Sequence, residues 1–462
     1  MSVAQQQYQQ NRMTCEALAQ QFQSGETISL GVWYGEPYGM INAINDLGDD
    51  ANGLNISCAI ATCPSTYMHN PDITVSIGFH GAQERSARAL NENIYYTPGN
   101  YCDGLRNAEH GRSADYFIVR VGAMNDAGQF NFSMTCSADY RIVPWLKKNR
   151  PETKIVFEVN AKLPYVYGLP EHGNNEHLID LVDIIVEDDA DLMSYPVPPA
   201  NETELRIADI VAELVPDRAT VQLGFGTLPM AIGACLKHHQ ELGIHTEMLC
   251  EAHIDLIEAG AATNTHKGLY DGKSIGTFAL GTERLHNWIA DNPEVALIPV
   301  EEVNRPDVHP RINKLTSINS ILGVDMTGQT MAHCIGSRTY SGLGGAFEFA
   351  YGSQMSPGGK SIVCLPSTTT RSDGTVISNI VAQFPLGTRI TTPEHVTEWV
   401  VTEYGAAQIK FMPLEERAKC LIQLAHPDFR EDLEREITDA GFNLGKIDKL
   451  PPRPEGTLRL SH

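Results

Sequence analysis

Val221-Gln222-Leu223-Gly224-Phe225-Gly226-Thr227-Leu228-Pro229 is the stretch whose reading decides the fold of this 462-residue chain. An apolar run of strand length meets two glycines, which permit a tight reversal, and then a helix that begins with proline. Strand, glycine turn and helix in succession form the unit of open α/β sheets. Ligands sit at the carboxyl ends of such strands, where turns and helix N-termini present free N–H groups. A second stretch, Leu242-Gly243-Ile244-His245-Thr246-Glu247-Met248, reads as a short buried strand that ends on a carboxylate just before a helix. Together the two place an acid and a backbone-lined turn at neighbouring strand ends.

Outward from this unit, the chain looks duplicated. The run CEALAQQFQ, Ser24-Gly25, TISLGV, Gly35-Glu36-Pro37 and YGMINAINDL shares its order with IADIVAEL, Pro216-Asp217, TVQLGF, the Gly-Thr-Leu-Pro turn and MAIGACLKH. Gly31 matches Gly224, and Pro37 matches Pro229 to within about one residue. Further on, 115–133 is echoed by 317–337, each with an Asx-Xaa-Gly-Gln turn between β-rich runs. KIVFEVN (154–160) is echoed by KSIVCLPS (360–367), and VDIIVED (182–188) by TEWVVTE (397–403). The expectation is two related open α/β domains with mainly parallel sheets, 1–200 and 201–462, divided near the proline-rich segment 194–204, with a site between them.

A formal charge of −23 argues against general binding to nucleic acid or to an anionic membrane, though backbone N–H groups and a few cations can still hold an anion locally. The polar opening MSVAQQQYQQNRMT has no apolar run of signal-peptide length, and no segment reads as a membrane span. The 10 cysteines are scattered without a CxxC pair, which suits reduced thiols and a cytoplasmic location. No metal-ligand spacing and no GxSxG elbow occur, and His80, His110, His172, His238 and His239 show no ligand pattern.

Gly224-Phe225-Gly226 is a partial dinucleotide fingerprint that fails where Pro229 replaces the third glycine. It is either a plain tight turn or an anion cradle. Gly342-Leu343-Gly344-Gly345-Ala346 is either a packing loop or a place where backbone approaches a ligand, and Lys360 follows a nearby turn. Cys250 is expected to pack under the helix that follows it. Trp33 and Tyr34 either line an acyl pocket or belong to the core. Arg85, Arg106 and Arg112 either read a dicarboxylate or are surface charges. Glu247 remains as the working acid, a base or a nucleophile with glycine-loop N–H groups as oxyanion donors.

The pieces QLGFGTLP (222–229), LGIHTEM (242–248), INSILGVDMTGQ (318–329), YSGLGGAFEF (340–349), VVTEYGAA (400–407) and LIQLAHPDFREDL (421–433) resemble the acetyl-CoA hydrolase/transferase family, class I coenzyme A transferases. The likeness covers nearly the whole chain and is nearest to the 4-hydroxybutyrate and butyryl-CoA:acetate CoA-transferases. It implies that Glu247 is the nucleophile, and that Gly224, Phe225, Gly226, Thr227, Leu228, Asn319, Gly342, Gly344, Gly345 and Lys360 contact coenzyme A. It further implies ping-pong transfer between an acyl-CoA and a small carboxylic acid through a glutamyl-CoA thioester, no tightly bound cofactor or metal, and a homodimer or larger homo-oligomer. The alternatives are a dicarboxylate acceptor such as itaconate with succinyl-CoA as donor, or acyl-CoA hydrolysis. The chain departs from the family at Cys250-Glu251-Ala252 (usually Ser-Asp-Gly), Gly122-Ala123 (often Ser-Pro) and Glu348 (usually Asp), changes that bear on the acyl pocket.

Overall fold

The structure is a computed structural model that describes residues 1–445, 454 and 456–461. Two seven-stranded sheets dominate it. The first contains β1 (Thr27–Leu30), β2 (Asn55–Cys58), β3 (Thr74–Ile77), β4 (Ile94–Tyr96), β5 (Tyr116–Val121), β6 (Lys154–Val159) and β7 (Ile184–Glu187). Their order is β4-β3-β2-β1-β5-β6-β7, parallel throughout. The second contains β8 (Thr220–Leu223), β9 (Gly243–Ile244), β10 (Leu315–Ser320), β11 (Lys360–Cys364), β12 (Trp399–Thr402), β13 (Gly405–Gln408) and β14 (Leu458–Leu460). Their order is β9-β8-β10-β11-β12-β13-β14, parallel as far as β12 and antiparallel beyond it.

The five-strand nucleus β2-β1-β5-β6-β7 therefore repeats as β9-β8-β10-β11-β12. The halves differ at their margins: β3 and β4 extend the first sheet beside β2, whereas β13 and β14 extend the second beside β12. The echoed turns are alike in detail. Asn125 Oδ1 accepts from the N–H groups of Ala127 and Gln129, both at 3.0 Å, and Asp325 Oδ1 accepts from those of Thr327 and Gln329, both at 3.0 Å. Gly128 and Gly328 take positive φ values of 79° and 93°, a region that favours glycine. After the turns the halves diverge: Gly323–Asp325 pairs back with Thr330–Met331, while Gln129–Asn131 pairs with Glu176–Leu178.

Sequence dictates these elements through burial on both faces. All of β8 is buried, and so is β5 after its first residue, the pattern of parallel strands covered by helices. The helix Glu202–Leu214 is started by Asn201, whose side chain accepts from Glu204 N while Glu204 returns a bond to Asn201 N. Its buried stripe, Ile207, Ala208, Val211, Ala212 and Leu214, has helical spacing. One apolar cluster runs through both halves, joining Phe117, Phe130 and Phe157 to Val221, Leu223 and Leu249, so the two sheets share a core.

Two local expectations need correction. The helix after the glycine turn begins at Thr227, so Pro229 lies inside its first turn, where its missing N–H still has no intrahelical acceptor to lose. The stretch 242–248 is not one strand. After β9 the chain leaves the large sheet, bridges Ile275 at His245, and Met248–Leu249 joins a small sheet with Phe278–Ala279. Glu247 stands at this crossing.

Candidate active site

Segments that follow the carboxyl ends of β3, β4 and β10 meet beside Glu247. Its backbone C=O accepts from Thr277 N at 2.9 Å and Phe278 N at 3.3 Å, which fixes the crossing. Thr246 Oγ1 donates to Leu223 O at 3.3 Å and ties the crossing to the end of β8. His245, fully buried, bonds Val303 O through Nε2 at 3.0 Å.

The Glu247 side chain is half-buried and belongs to a trio. Asn304 Nδ2 donates to Glu247 Oε2 and to Glu348 Oε2, both at 2.6 Å. Cys102 N, from the first half, donates to Glu348 Oε1 at 2.9 Å. Burial first, then the neighbouring Glu348 carboxylate, pushes Glu247 up to about 8, with Asn304 and the Gly345 N–H pulling the other way. Burial pushes Glu348 up to about 7 against the pull of Cys102 and Asn304. Such a pair titrates jointly, and both acids are held above the usual carboxylate range.

The glycine loop is the roof. A Cβ on Gly345 would meet Glu247 Oε2 and Asn304 Nδ2 well inside van der Waals contact, and Glu348 Oε2 at 2.9 Å. A Cβ on Gly344, at φ +53°, would have Glu247 Oε1 as its nearest neighbour at 3.9 Å, and the Gly344 carbonyl accepts from Tyr101 N at 3.3 Å. Gly342 lies against Gly78 O and Phe79, beyond the end of β3. All three predicted glycines thus reach Glu247 or the opposing half.

Aromatic side chains form a wall beside the acid. Trp33, half-buried and at φ 56°, stacks on Phe278 with ring centres 4.9 Å apart, and Tyr101 meets Phe278 edge-on at 5.7 Å. Tyr101 Oη is bonded to Ser137 Oγ at 2.7 Å. Tyr34 is core: it is 1% exposed, and its Oη lies 2.6 Å from His286 Nε2 and donates to Met193 O at 2.8 Å.

The Gly224–Leu228 turn follows β8. Gly226 takes φ 120° and ψ −175°, open only to glycine, and no side chain caps the helix that starts there. Phe225 is exposed, Leu228 is buried, and Thr227 Oγ1 bonds Glu204 Oε1. Asn319, near the end of β10, exchanges two amide hydrogen bonds with Gln222, at 3.2 and 3.1 Å.

Lys360 does not join this group. It opens β11 in register with Thr316, at the amino ends of the strands, and its Nζ donates to Leu214 O at 2.7 Å. A cation that ends a helix there serves the fold, not the carboxyl-end crevice. Cys250 is buried at the start of the helix Glu251–Glu258, as its spacing suggested. The departing Glu251 turns to Thr282 N at 2.6 Å. Arg85 bonds His80 O and Tyr340 O, Arg106 lies 4.0 Å from Asp103, and Arg112 is exposed. Sequence reading missed Asn304, Tyr101 and Cys102. Among the described residues, no group of three or more His, Cys, Asp or Glu is placed to hold a metal ion.

Residues 281–437 match the family model of the acetyl-CoA hydrolase/transferase C-terminal domain. The chain is 32% identical over 428 residues to the succinyl-CoA:cyclohexane-1-carboxylate CoA transferase of Geobacter metallireducens, covering 92% of this chain and 93% of that protein. It is 32% identical over 435 residues to the 4-hydroxybutyrate coenzyme A transferase of Clostridium kluyveri, covering 93% and 98%. The structure of RipA from Yersinia pestis superposes with a TM-score of 0.85 at 30% identity, covering 96% of this chain and all of that one. With an acid set among amide donors where the two halves meet, and relatives matched along nearly their whole lengths, this chain belongs to the acetyl-CoA hydrolase/transferase family and is a coenzyme A transferase.

Proposed function

We propose that the enzyme moves coenzyme A between an acyl-CoA and a small carboxylic acid with Glu247 as the covalent nucleophile. The observation that carries this reading is the Glu247 carboxylate, held by Asn304 Nδ2 and the Gly345 N–H at the seam between the halves. The carboxylate attacks the thioester carbonyl, CoA thiolate leaves, and an acyl-glutamyl anhydride forms. The thiolate then attacks the glutamyl carbonyl and expels the free acid, leaving a glutamyl-CoA thioester. An acceptor carboxylate reverses both steps, so the kinetics are ping-pong. Asn304 Nδ2 and the Gly345 N–H are the oxyanion donors in this scheme.

Coenzyme A contacts are assigned to Gly224, Phe225, Gly226, Thr227, Leu228, Asn319, Gly342, Gly344 and Gly345, and Lys360 is dropped. The acceptor is a short monocarboxylate of the acetate, butyrate or 4-hydroxybutyrate type, in keeping with the Clostridium relative. The Geobacter relative, named for succinyl-CoA, favours a dicarboxyl donor as the second reading. Each sheet is taken as the centre of one domain, 1–200 and 201–462, in a cytoplasmic homo-oligomer. The ten free cysteines support the reducing location.

The test is intact mass after incubation with acetyl-CoA, butyryl-CoA or succinyl-CoA in the absence of an acceptor. A CoA-sized adduct on the peptide carrying Glu247, missing in Glu247→Gln, is expected. Steady release of free CoA without an acceptor identifies a hydrolase instead. Transfer that survives in Glu247→Gln overturns the assignment.

A further inference from the structure

A second pocket lies on the seam, away from the trio. It has a volume of about 590 Å³ and lies between β4 with its preceding helix Ala82–Ala87, from the first half, and the hairpin Cys334–Ile335/Arg338–Thr339, from the second. Arg85, Arg88, Arg338 and Arg389 line it, with Glu92 as the one carboxylate in its lining. Among the described residues none of these four forms an ion pair with a carboxylate, whereas Arg12, Arg120, Arg141, Arg284 and Arg305 all do. Four guanidinium groups against a single carboxylate leave an excess of positive charge that is unexpected in a chain of charge −23.

Their donors are also incompletely used. Arg389 Nη2 donates to Thr339 Oγ1 at 2.7 Å, but its Nε is buried without an acceptor. Behind them His80, 0% exposed, has both ring nitrogens without a hydrogen-bond partner. Burial first, then the guanidinium charges of Arg88, Arg85 and Arg389, holds it in the neutral form. A buried donor with no acceptor costs free energy, and a bound anion removes that cost for several donors at once. The exposed rings of Tyr95 and Tyr340 flank the cations, with the Arg85 guanidinium 4.6 Å from the centre of the Tyr340 ring.

One loop of the chain runs from the pocket to the roof over Glu247. Thr339 lines it and Gly345 touches Glu247, six residues later, a span of at most about 20 Å for extended chain. Arg85 Nη1 holds Tyr340 O at 2.8 Å, within the same loop. A ligand with its reacting group at the acid and its charges at the other end of a long arm fits this layout.

We propose that the arginine pocket binds a phosphate-bearing anion, namely the phosphates at the nucleotide end of coenzyme A. The assignment to coenzyme A rests on the function proposed above; the preference for phosphate rests on the guanidinium cluster alone. Four planar donors without carboxylate partners match phosphate oxygens in number and geometry.

Calorimetric titration of the full chain with coenzyme A, pantetheine and inorganic pyrophosphate tests it. Arg88 and Arg338 are exposed, so Arg88→Gln/Arg338→Gln leaves the core untouched, and an unchanged melting curve verifies folding. Arg389→Gln is the second variant. Coenzyme A affinity is expected to fall by about tenfold or more in each, the loss of one charged hydrogen bond, while pantetheine, which lacks the phosphates, binds as in the parent. Loss of pyrophosphate affinity with coenzyme A affinity intact assigns the pocket to a free phosphate anion and overturns the coenzyme A assignment. Parent-like affinity of both variants for both phosphate ligands overturns the pocket itself. A parent protein that binds pyrophosphate but no coenzyme A refutes the proposed function and leaves the pocket standing.

Discussion

Replacing Gly345 by alanine isolates the placement of the nucleophile from everything else. The φ of −96° at Gly345 suits any residue, so the backbone accepts the change without strain. The new methyl group, however, lands on Glu247 Oε2 and Asn304 Nδ2, with Glu348 Oε2 2.9 Å away. All three are the tips of side chains, which can swing aside, so the fold survives and the trio does not. To reach ordinary contact the carboxylate must retreat by roughly 1 Å, and a displacement of that size at a reacting centre costs about 100-fold in rate. Gly345→Ala should therefore lower kcat/KM for acyl-CoA:acetate transfer by about two orders of magnitude while the urea midpoint stays near that of the parent. Gly344→Ala is the matched control. Its Cβ has room, with the nearest atom at 3.9 Å, but its φ of +53° penalises any side chain by about 1–2 kcal/mol. That variant should lose stability and keep most of its rate. Activity within about threefold of the parent in Gly345→Ala, with the fold intact, refutes the placement of Glu247 as the attacking group.

Glu348→Gln removes the charge that helps keep Glu247 protonated, so the rise of kcat/KM with pH should move to lower pH; an unmoved or higher midpoint breaks the coupling argument. Glu36 and Glu247 are pushed up to about 8, and Asp139, Glu158 and Glu348 to about 7, chiefly by burial. Folded pKa values above the unfolded ones mean stability that is present below about pH 4 and lost as pH rises through about 7 to 8. Lys267, pulled down to about 7, works in the opposite direction above that pH, and the buried histidines His80, His177, His253 and His309, pulled down to about 4, do so below about pH 6.5. Urea midpoints should thus decline between about pH 6.5 and pH 8, where the five acids stand against one amine, and a flat or rising profile in that window contradicts this. Arg417 is buried and donates to the carbonyls of Thr327, Glu394 and Met412, so Arg417→Met should cost about 3 kcal/mol in urea unfolding; a loss under about 1 kcal/mol counts against it. Trp33→Ala opens the wall beside Phe278 and should raise kcat/KM for longer acyl chains relative to acetyl, which a series of acyl-CoA donors will test.

The nucleus of each sheet was legible because its strands are buried on both faces and the two halves repeat their order, down to the turns at Asn125–Gln129 and Asp325–Gln329. The antiparallel margin β13 and β14 carried no such echo. Glu247 stood out in the sequence as an acid in an apolar run, although the single strand read there is broken at His245. Its neighbours were not. Asn304 closes the short helix Val300–Asn304 within a polar stretch, and nothing in Glu-Glu-Val-Asn marks an amide that bridges two carboxylates. Cys102 reaches Glu348 through its backbone N–H across 246 residues, a contact that no side-chain pattern encodes. Lys360 misled because nearness to a glycine turn does not say which end of a strand a residue occupies. In a parallel sheet the first residue of a strand lies at the far edge from the ligand crevice.

One bond across the seam has a dynamic consequence. The Cys102 N–H reaches Glu348 from the first half, while Glu348, Asn304 and Glu247 all belong to the second. Any hinge motion that parts the halves withdraws that donor from Glu348 alone. Without it the Glu348 carboxyl is pushed further up, and a neutral Glu348 no longer adds its charge to what holds Glu247 above the usual carboxylate range. Opening the cleft to admit substrate and arming the acid that meets it become a single mechanical event.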